Sequence, residues 1–437
     1  MASRLMIGAA ALAVAAAALV VSQLNRSGGD ATTSATLEPG ARAPSDDGYA
    51  ALLDQIDRRI DGLRARANKR SDDWLTRMHL STVLLERVGL TNQIDDVARV
   101  EEVLDEAFAI APDGTGPLLS AARFNFSIHR LEVAERYLDK MDRAALQRRE
   151  EQVAARLLRA EIAFQRGQYE AAFAGLTAVA AANPSAAMVE LALYHAKTGD
   201  PAKAEVLLAD ALSLASTKDP RRRAWIRLQL GLVAMDRGQP LVAMAHLQQA
   251  DAELPGWWLV QEHIAEVHSR IGNHGQATAI YEELVRSADL PQHLDALANA
   301  YQHAGRDDEA QELITRAAAR WEAQLGRFPE AAMGHGLQHY LQFGSPQRAL
   351  ELALANYAVR PGGEAQVLLA NAYLQSGKPA EALELVLRAL ATPYRTAGLH
   401  DVAARAHAAM GNTAAEQEQL VLRAAINPSY QGRDHTH

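Results

Sequence analysis

The chain has 437 residues, enough for a sizeable core or several domains, and its abundance of Ala, Leu, Glu, Gln and Arg with little strand punctuation reads as all-α. A formal net charge of −9 with both signs interspersed argues against a nucleic-acid binder, which would carry a concentrated basic patch. Cysteine is absent, so disulfide frameworks, thiolate metal sites, catalytic thiols and lipidated cysteines are excluded.

The first element is an uninterrupted apolar run from Leu5 to Val21, preceded by Arg4 and the amino terminus. Seventeen residues is at the short end of what crosses a bilayer. A retained anchor within residues 1–26 is favoured over a cleaved signal, whose cut would fall before Gln23 after Val20 and Ser22. Either reading sends the rest of the chain out of the cytoplasm, because the short basic flank stays inside; Arg26 on the far side weighs against this. Residues 27–47 carry Ser-Gly-Gly, Pro39-Gly40 and Pro44 without apolar periodicity, as expected of a linker. Tyr49, Leu52, Leu53, Ile56, Ile60 and Leu63 then share one helical face, which predicts a capping helix within 48–70.

A unit of about 34 residues repeats over 71–428. It is clearest where Leu230-Gly231 lies on one helix and Gly238 ends it, while Ala243, Leu247 and Ala250 run along a second helix stopped by Pro255. The frame returns as Leu297-Ala298, Tyr301, Gly305, Ala310 and Ala317, and again as Leu369-Ala370, Tyr373, Gly377, Ala382 and Ala389. Small residues let paired helices approach closely, and glycine supplies the left-handed cap of the first helix. About ten units can be placed. The first is expected to carry extra residues between its helices around Gly89–Asp96, and the last has Glu416 in place of the second-helix alanine. Residues 429–437 read as a disordered tail.

This frame resembles the tetratricopeptide repeat. The resemblance implies an α-α superhelix of helix–turn–helix units after the N-terminal segment, and it covers most of the chain. In arrays of this kind the first helices line a concave surface. By frame, the groove-facing positions are Trp225, Leu228, Leu232, Glu262, Glu266, Asp295, Asn299, Gln302, Gln338, Asn371 and Gln375. Asn299 and Asn371 hold the same place in their units, and amides can both donate to and accept from an extended peptide backbone. Glu262, Glu266 and Asp295 make this surface acidic, which favours basic segments. Trp225 is the candidate anchor; the rival reading makes it core between units.

No nucleotide-binding or catalytic motif is present, and no stretch outside the repeats is long enough for a catalytic domain. The expectation is therefore a chain that is not an enzyme, with no cofactor, no metal and no small-molecule substrate. His263 and His268 lack zinc-protease spacing, and His335 and His339 fall beside a helix seam, where packing outweighs metal ligation. His435 and His437 make a poor metal site on the tail. The expected function is a scaffold anchored in a bacterial inner membrane and facing the periplasm, gripping a protein or extended peptide of basic character to help assemble an envelope complex. A narrower version resembles the apocytochrome-holding repeats of cytochrome c maturation factors, on residues 60–63 and Ser71–Leu75. Polysaccharide-export accessories and cytoplasm-facing adaptors are the alternatives.

Overall fold

Proline at the first helical position is the commonest local signal in the chain. Pro184, Pro201, Pro220, Pro240, Pro291, Pro329, Pro346 and Pro379 each open a helix, where the missing N–H costs nothing. Pro184 and Pro329 come one residue after the preceding helix, so Asn183 and Phe328 each cap the end of one helix and the start of the next.

The computed structural model describes residues 48–143, 148–288 and 290–430. Within them lie 21 helices and one isolated bridge, Thr198 with Arg395. Helix α1 (Tyr49–Lys69) precedes ten antiparallel pairs. These are α2 (Trp74–Thr91) with α3 (Ile94–Ile110), α4 (Leu118–Ser127) with α5 (Leu131–Asp142), and α6 (Arg149–Gln165) with α7 (Tyr169–Ala182). Next come α8 (Pro184–Lys197) with α9 (Pro201–Leu214), α10 (Pro220–Asp236) with α11 (Pro240–Glu253), and α12 (Trp258–Arg270) with α13 (His274–Ser287). The last four are α14 (Pro291–His303) with α15 (Asp307–Arg327), α16 (Pro329–Phe343) with α17 (Pro346–Val359), α18 (Gly363–Gln375) with α19 (Pro379–Leu390), and α20 (Ala397–Ala409) with α21 (Thr413–Ile426). The expected membrane anchor, the linker and residues 431–437 lie outside the described residues. No helix among those described is long and apolar enough to cross a membrane.

The end of each first helix shows why the period exists. Gly167, Gly199, Gly238, Gly272, Gly305, Gly377 and Gly411 all adopt positive φ there, between 70° and 87°. In the two earliest units Asn92 (φ 53°) and His129 (φ 61°) take the same place. Gly344 departs from the series with φ −110°. The alanines that open the second helices are fully buried, and a β-carbon on Gly231 would sit 3.0 Å from Leu247 Cγ. The expected insert near Gly89–Asp96 is not a loop. The extra residues lengthen α2 and α3, Gly89 is buried inside α2, and only Asn92 and Gln93 separate the helices.

The superhelix winds tightly enough that successive turns touch. Gln93 Nε2 donates to Ala288 O, Tyr169 Oη accepts from Gly363 N, and Asn427 Nδ2 donates to Met235 O; these partners lie 195, 194 and 192 residues apart. Main-chain bonds add to them: Tyr49 N to Pro255 O, Gly362 N to Gln165 O and Arg395 N to Lys197 O. Tyr49 Oη and Trp258 Nε1 both donate to Leu90 O, pinning α1 and α12 to the end of α2. The apolar core accordingly does not follow sequence order. One cluster joins α1–α4 to α10–α16, and another joins α6–α8 to α15–α20.

Candidate functional site

The inner faces of the first helices meet around the superhelix axis. This corrects the expectation of an open concave groove at the positions inferred from the frame. Trp225, Leu228, Leu232, Glu262, Glu266 and Asp295 are all buried. Trp225 packs against Trp257, with ring centroids 6.5 Å apart, so it is core rather than a presented anchor. The three acidic residues are engaged internally. Glu266 faces His263 at 3.2 Å and Arg270 at 2.9 Å, and Glu262 lies 4.0 Å from His293. Asp295 accepts from Trp321 Nε1 at 2.8 Å and pairs with His339 Nδ1 at 2.7 Å. Burial raises the Asp295 carboxyl above its ordinary value, and the His339 and Trp321 hydrogen bonds pull it partly back. These carboxylates therefore cannot steer a basic segment from solvent.

The amides divide three ways. Asn299 and Gln302 are half-buried on α14. Gln338 faces an internal chamber together with Leu232. Asn371 accepts from Arg405 at 2.6 Å, while Gln375 is exposed but donates to Leu341 O at 2.8 Å. His335 stacks on Trp321 with centroids 6.1 Å apart. Among the described residues no group of three or more potential metal ligands occurs.

An open concavity lies elsewhere among the described residues, between one superhelical turn and the next. A cleft of about 930 Å³ is walled by α3, α4 and α5 on one side and by the start of α16 and the end of α17 on the other. Phe124, Leu131, Val133 and Tyr137 give it an apolar lining; Glu101, Asp105, Glu132 and Glu330 make it acidic. Arg130 sits in the middle. Its Nη1 meets Glu101 at 2.6 Å and its Nε meets Glu330 at 3.4 Å, tying the two turns together. Arg166, the other cationic residue of the lining, is paired with Glu135 at 2.7 Å. Asp105 and Glu132 remain exposed at the rim. Tyr137 stacks on Phe108 at 5.4 Å, and its phenol is held above the ordinary value by burial first and the Asp105 charge second.

His129 forms the back wall of this cleft and also borders the internal chamber. Its Nε2 accepts from Arg360 Nη1 at 3.2 Å, so the proton sits on Nδ1, which donates to Gln165 Oε1 at 3.3 Å. Burial and the neighbouring Arg360 charge keep its pKa well below that of an ordinary histidine. Gly334 leaves the space that the Arg360 guanidinium fills, since a β-carbon there would collide with it. Nothing in the 34-residue frame announces this cleft. It arises from a contact between units far apart in sequence, and the local signal is a histidine where seven other units carry a positive-φ glycine.

Comparison with known proteins agrees with the helical geometry. Residues 294–326, which make up most of α14 and α15, match the tetratricopeptide repeat family. No curated protein matches the chain. Among solved structures, a tetratricopeptide repeat protein from Parabacteroides merdae is similar at 15% identity and TM-score 0.34, over 55% of this chain and 91% of its own. Human IFIT1, solved as a dimer with m7Gppp-AAAA, is similar at 14% identity and TM-score 0.40, over 85% of this chain and 94% of its own. Pseudomonas aeruginosa pilF is similar at 19% identity and TM-score 0.34, over 50% of this chain and 96% of its own. Likeness at this level carries nothing about partners or activity. The chain is an all-α repeat solenoid that carries a tetratricopeptide repeat at residues 294–326.

Proposed function

We propose that the protein is a binding scaffold, held to a bacterial inner membrane by residues 5–21 with its array in the periplasm, where it docks a basic segment of a protein partner and so helps assemble an envelope complex. It acts by binding and not by catalysis. The cleft between the two turns carries this reading: about 930 Å³ of acidic, aromatic-lined space is the right chemistry for an extended chain bearing Lys or Arg. The Leu5–Val21 run and Arg4 support the anchoring. The docking surface moves from the buried frame positions to the cleft, and Asn299 and Gln302 stay accessible as a secondary contact.

The test is charge reversal at the rim. Asp105→Lys with Glu132→Lys should abolish salt-sensitive capture of the crosslinked partner, while the matched exposed pair Glu170→Lys with Asp210→Lys should leave it intact. The rim pair should fold normally, because the one ion pair it removes, Glu132 with Arg136, is solvent-exposed and worth little. Capture lost only in the control pair would refute the cleft. An alkaline phosphatase fusion at the C-terminus that stays inactive would refute the topology.

A further inference from the structure

The core of the superhelix is not solid. The inner faces of α4, α6, α8, α10, α16 and α18 enclose a second chamber of about 180 Å³. An engineered cavity of about 150 Å³ is large enough to hold benzene, so this one accommodates a compact small molecule. One wall is aromatic. Phe164 packs edge-on to Tyr194 with centroids 5.9 Å apart, and Tyr394, joined to Phe164 through the Tyr169 ring, also lines the chamber. Four carboxylates line the chamber: Glu161 on α6, Glu190 on α8, Asp236 on α10 and Glu364 on α18.

The cationic side chains that line the chamber are committed to other partners. Lys197 pairs with Asp236 at 3.0 Å. Arg360 donates to Asn356 Oδ1 at 2.7 Å and to His129. Arg123 and Arg222 act on Glu161 and Glu190 through space but do not line the chamber. A separate observation points to a missing polar partner. Gln229 is 2% exposed and lines the chamber, yet its Nε2 has no hydrogen-bond partner among the described residues. A buried donor left without an acceptor costs about 1–3 kcal/mol. Lys197 and Asp236, which both line the chamber, are each about a fifth exposed.

We propose that this chamber is a binding site for a small ammonium compound bearing a hydroxyl or carbonyl oxygen, its cation held by Glu161, Glu190 and the aromatic rings and its oxygen accepting from Gln229 Nε2. Carboxylates supply the counter-charge and aromatic faces add cation–π attraction, which is strongest where water is excluded. Glu161 and Glu190 sit in a desolvated setting. Burial raises both carboxyl groups above their ordinary range, the Glu190 charge adds to the effect on Glu161, and Arg123 only partly offsets it. The site is independent of the outer cleft and of the scaffold reading.

Choline is the probe. Titrated calorimetrically into the full chain, it should bind at a single saturable site. Glu161→Gln and Glu190→Gln should each weaken it about tenfold or more. Both variants keep the shape of the protonated acid, so their melting temperatures should not fall. Gln229→Leu should weaken choline but leave tetramethylammonium, which lacks the oxygen, unchanged. The neutral isostere 3,3-dimethylbutanol should bind at least about tenfold more weakly than choline. Absence of choline binding at millimolar concentration would overturn the proposal. So would unchanged affinity in both glutamine variants, or equal affinity for the neutral isostere, which would make the chamber merely apolar.

Discussion

His129 occupies a backbone conformation that costs a residue with a β-carbon about 1–2 kcal/mol, at the place where seven other units carry a positive-φ glycine. Its imidazole offsets that strain by accepting from Arg360 across the boundary between superhelical turns and donating to Gln165 in the next unit. Asn92 takes the equivalent place in the preceding unit without such a bridge, and asparagine tolerates the left-handed region more easily. The two therefore respond oppositely to glycine. Asn92→Gly should leave stability within about 0.5 kcal/mol of wild type. His129→Gly relieves the backbone but takes one of two acceptors from the Arg360 guanidinium and empties the space of a buried imidazole, and should cost about 1–3 kcal/mol net. Thermal melts of the two variants decide this, and equal midpoints would show that His129 is not a link between turns.

Single helix pairs follow rules that can be read locally. The frame alanines are buried because neighbouring backbones come close there, so Ala243→Leu or Ala310→Leu should cost about 1–3 kcal/mol by forcing the paired helices apart. Gly305→Ala is the complementary probe. Nothing lies within 4 Å of the added β-carbon, so its cost is conformational alone, about 1 kcal/mol. Melting midpoints unchanged in both leucine variants would mean the small-residue frame does not set the spacing. Helix existence, the glycine turns and the alanine seams were legible because each depends on residues a few positions apart. The groove was not. Trp225, Leu228 and Leu232 already signalled burial by being apolar at positions meant to face solvent. Glu262 and Asp295 concealed it, because their partners His293, His339 and Trp321 become neighbours only through helix packing and stacking of units, whereas Glu266 meets Arg270 one turn along its own helix. The outer cleft, built by residues roughly 200 positions apart such as Arg130 and Glu330, leaves no periodic trace.

At the scale of the whole molecule, contact between turns changes what kind of repeat protein this is. An open array couples each unit only to its neighbours, so its ends fray and its units unfold nearly independently. Here α1 is bonded to the α11–α12 turn through Tyr49 N and Pro255 O. Arg221 on α10 reaches Glu86 on α2 at 3.1 Å, and Arg327 at the end of α15 reaches Asp95 at the start of α3 at 2.5 Å. At the other end, Asn427 beyond α21 donates to Met235 O at the end of α10. Both ends of the helical array are thereby tied to its middle. The array should unfold as large cooperative blocks, with units one superhelical turn apart sharing a protection level. Hydrogen exchange followed by mass spectrometry makes the comparison. Deleting residues 395–437 should raise exchange not only in α18 and α19 but also at the ends of α8 and α10, which lose the main-chain bond from Arg395 to Lys197 and the side-chain bond from Asn427 to Met235. Units between those points and the cut, such as α12 and α13, should change less despite being closer in sequence. If exchange instead rises in strict order of sequence distance from the deletion, the turns are not energetically coupled, and the cleft they enclose cannot be a preformed site.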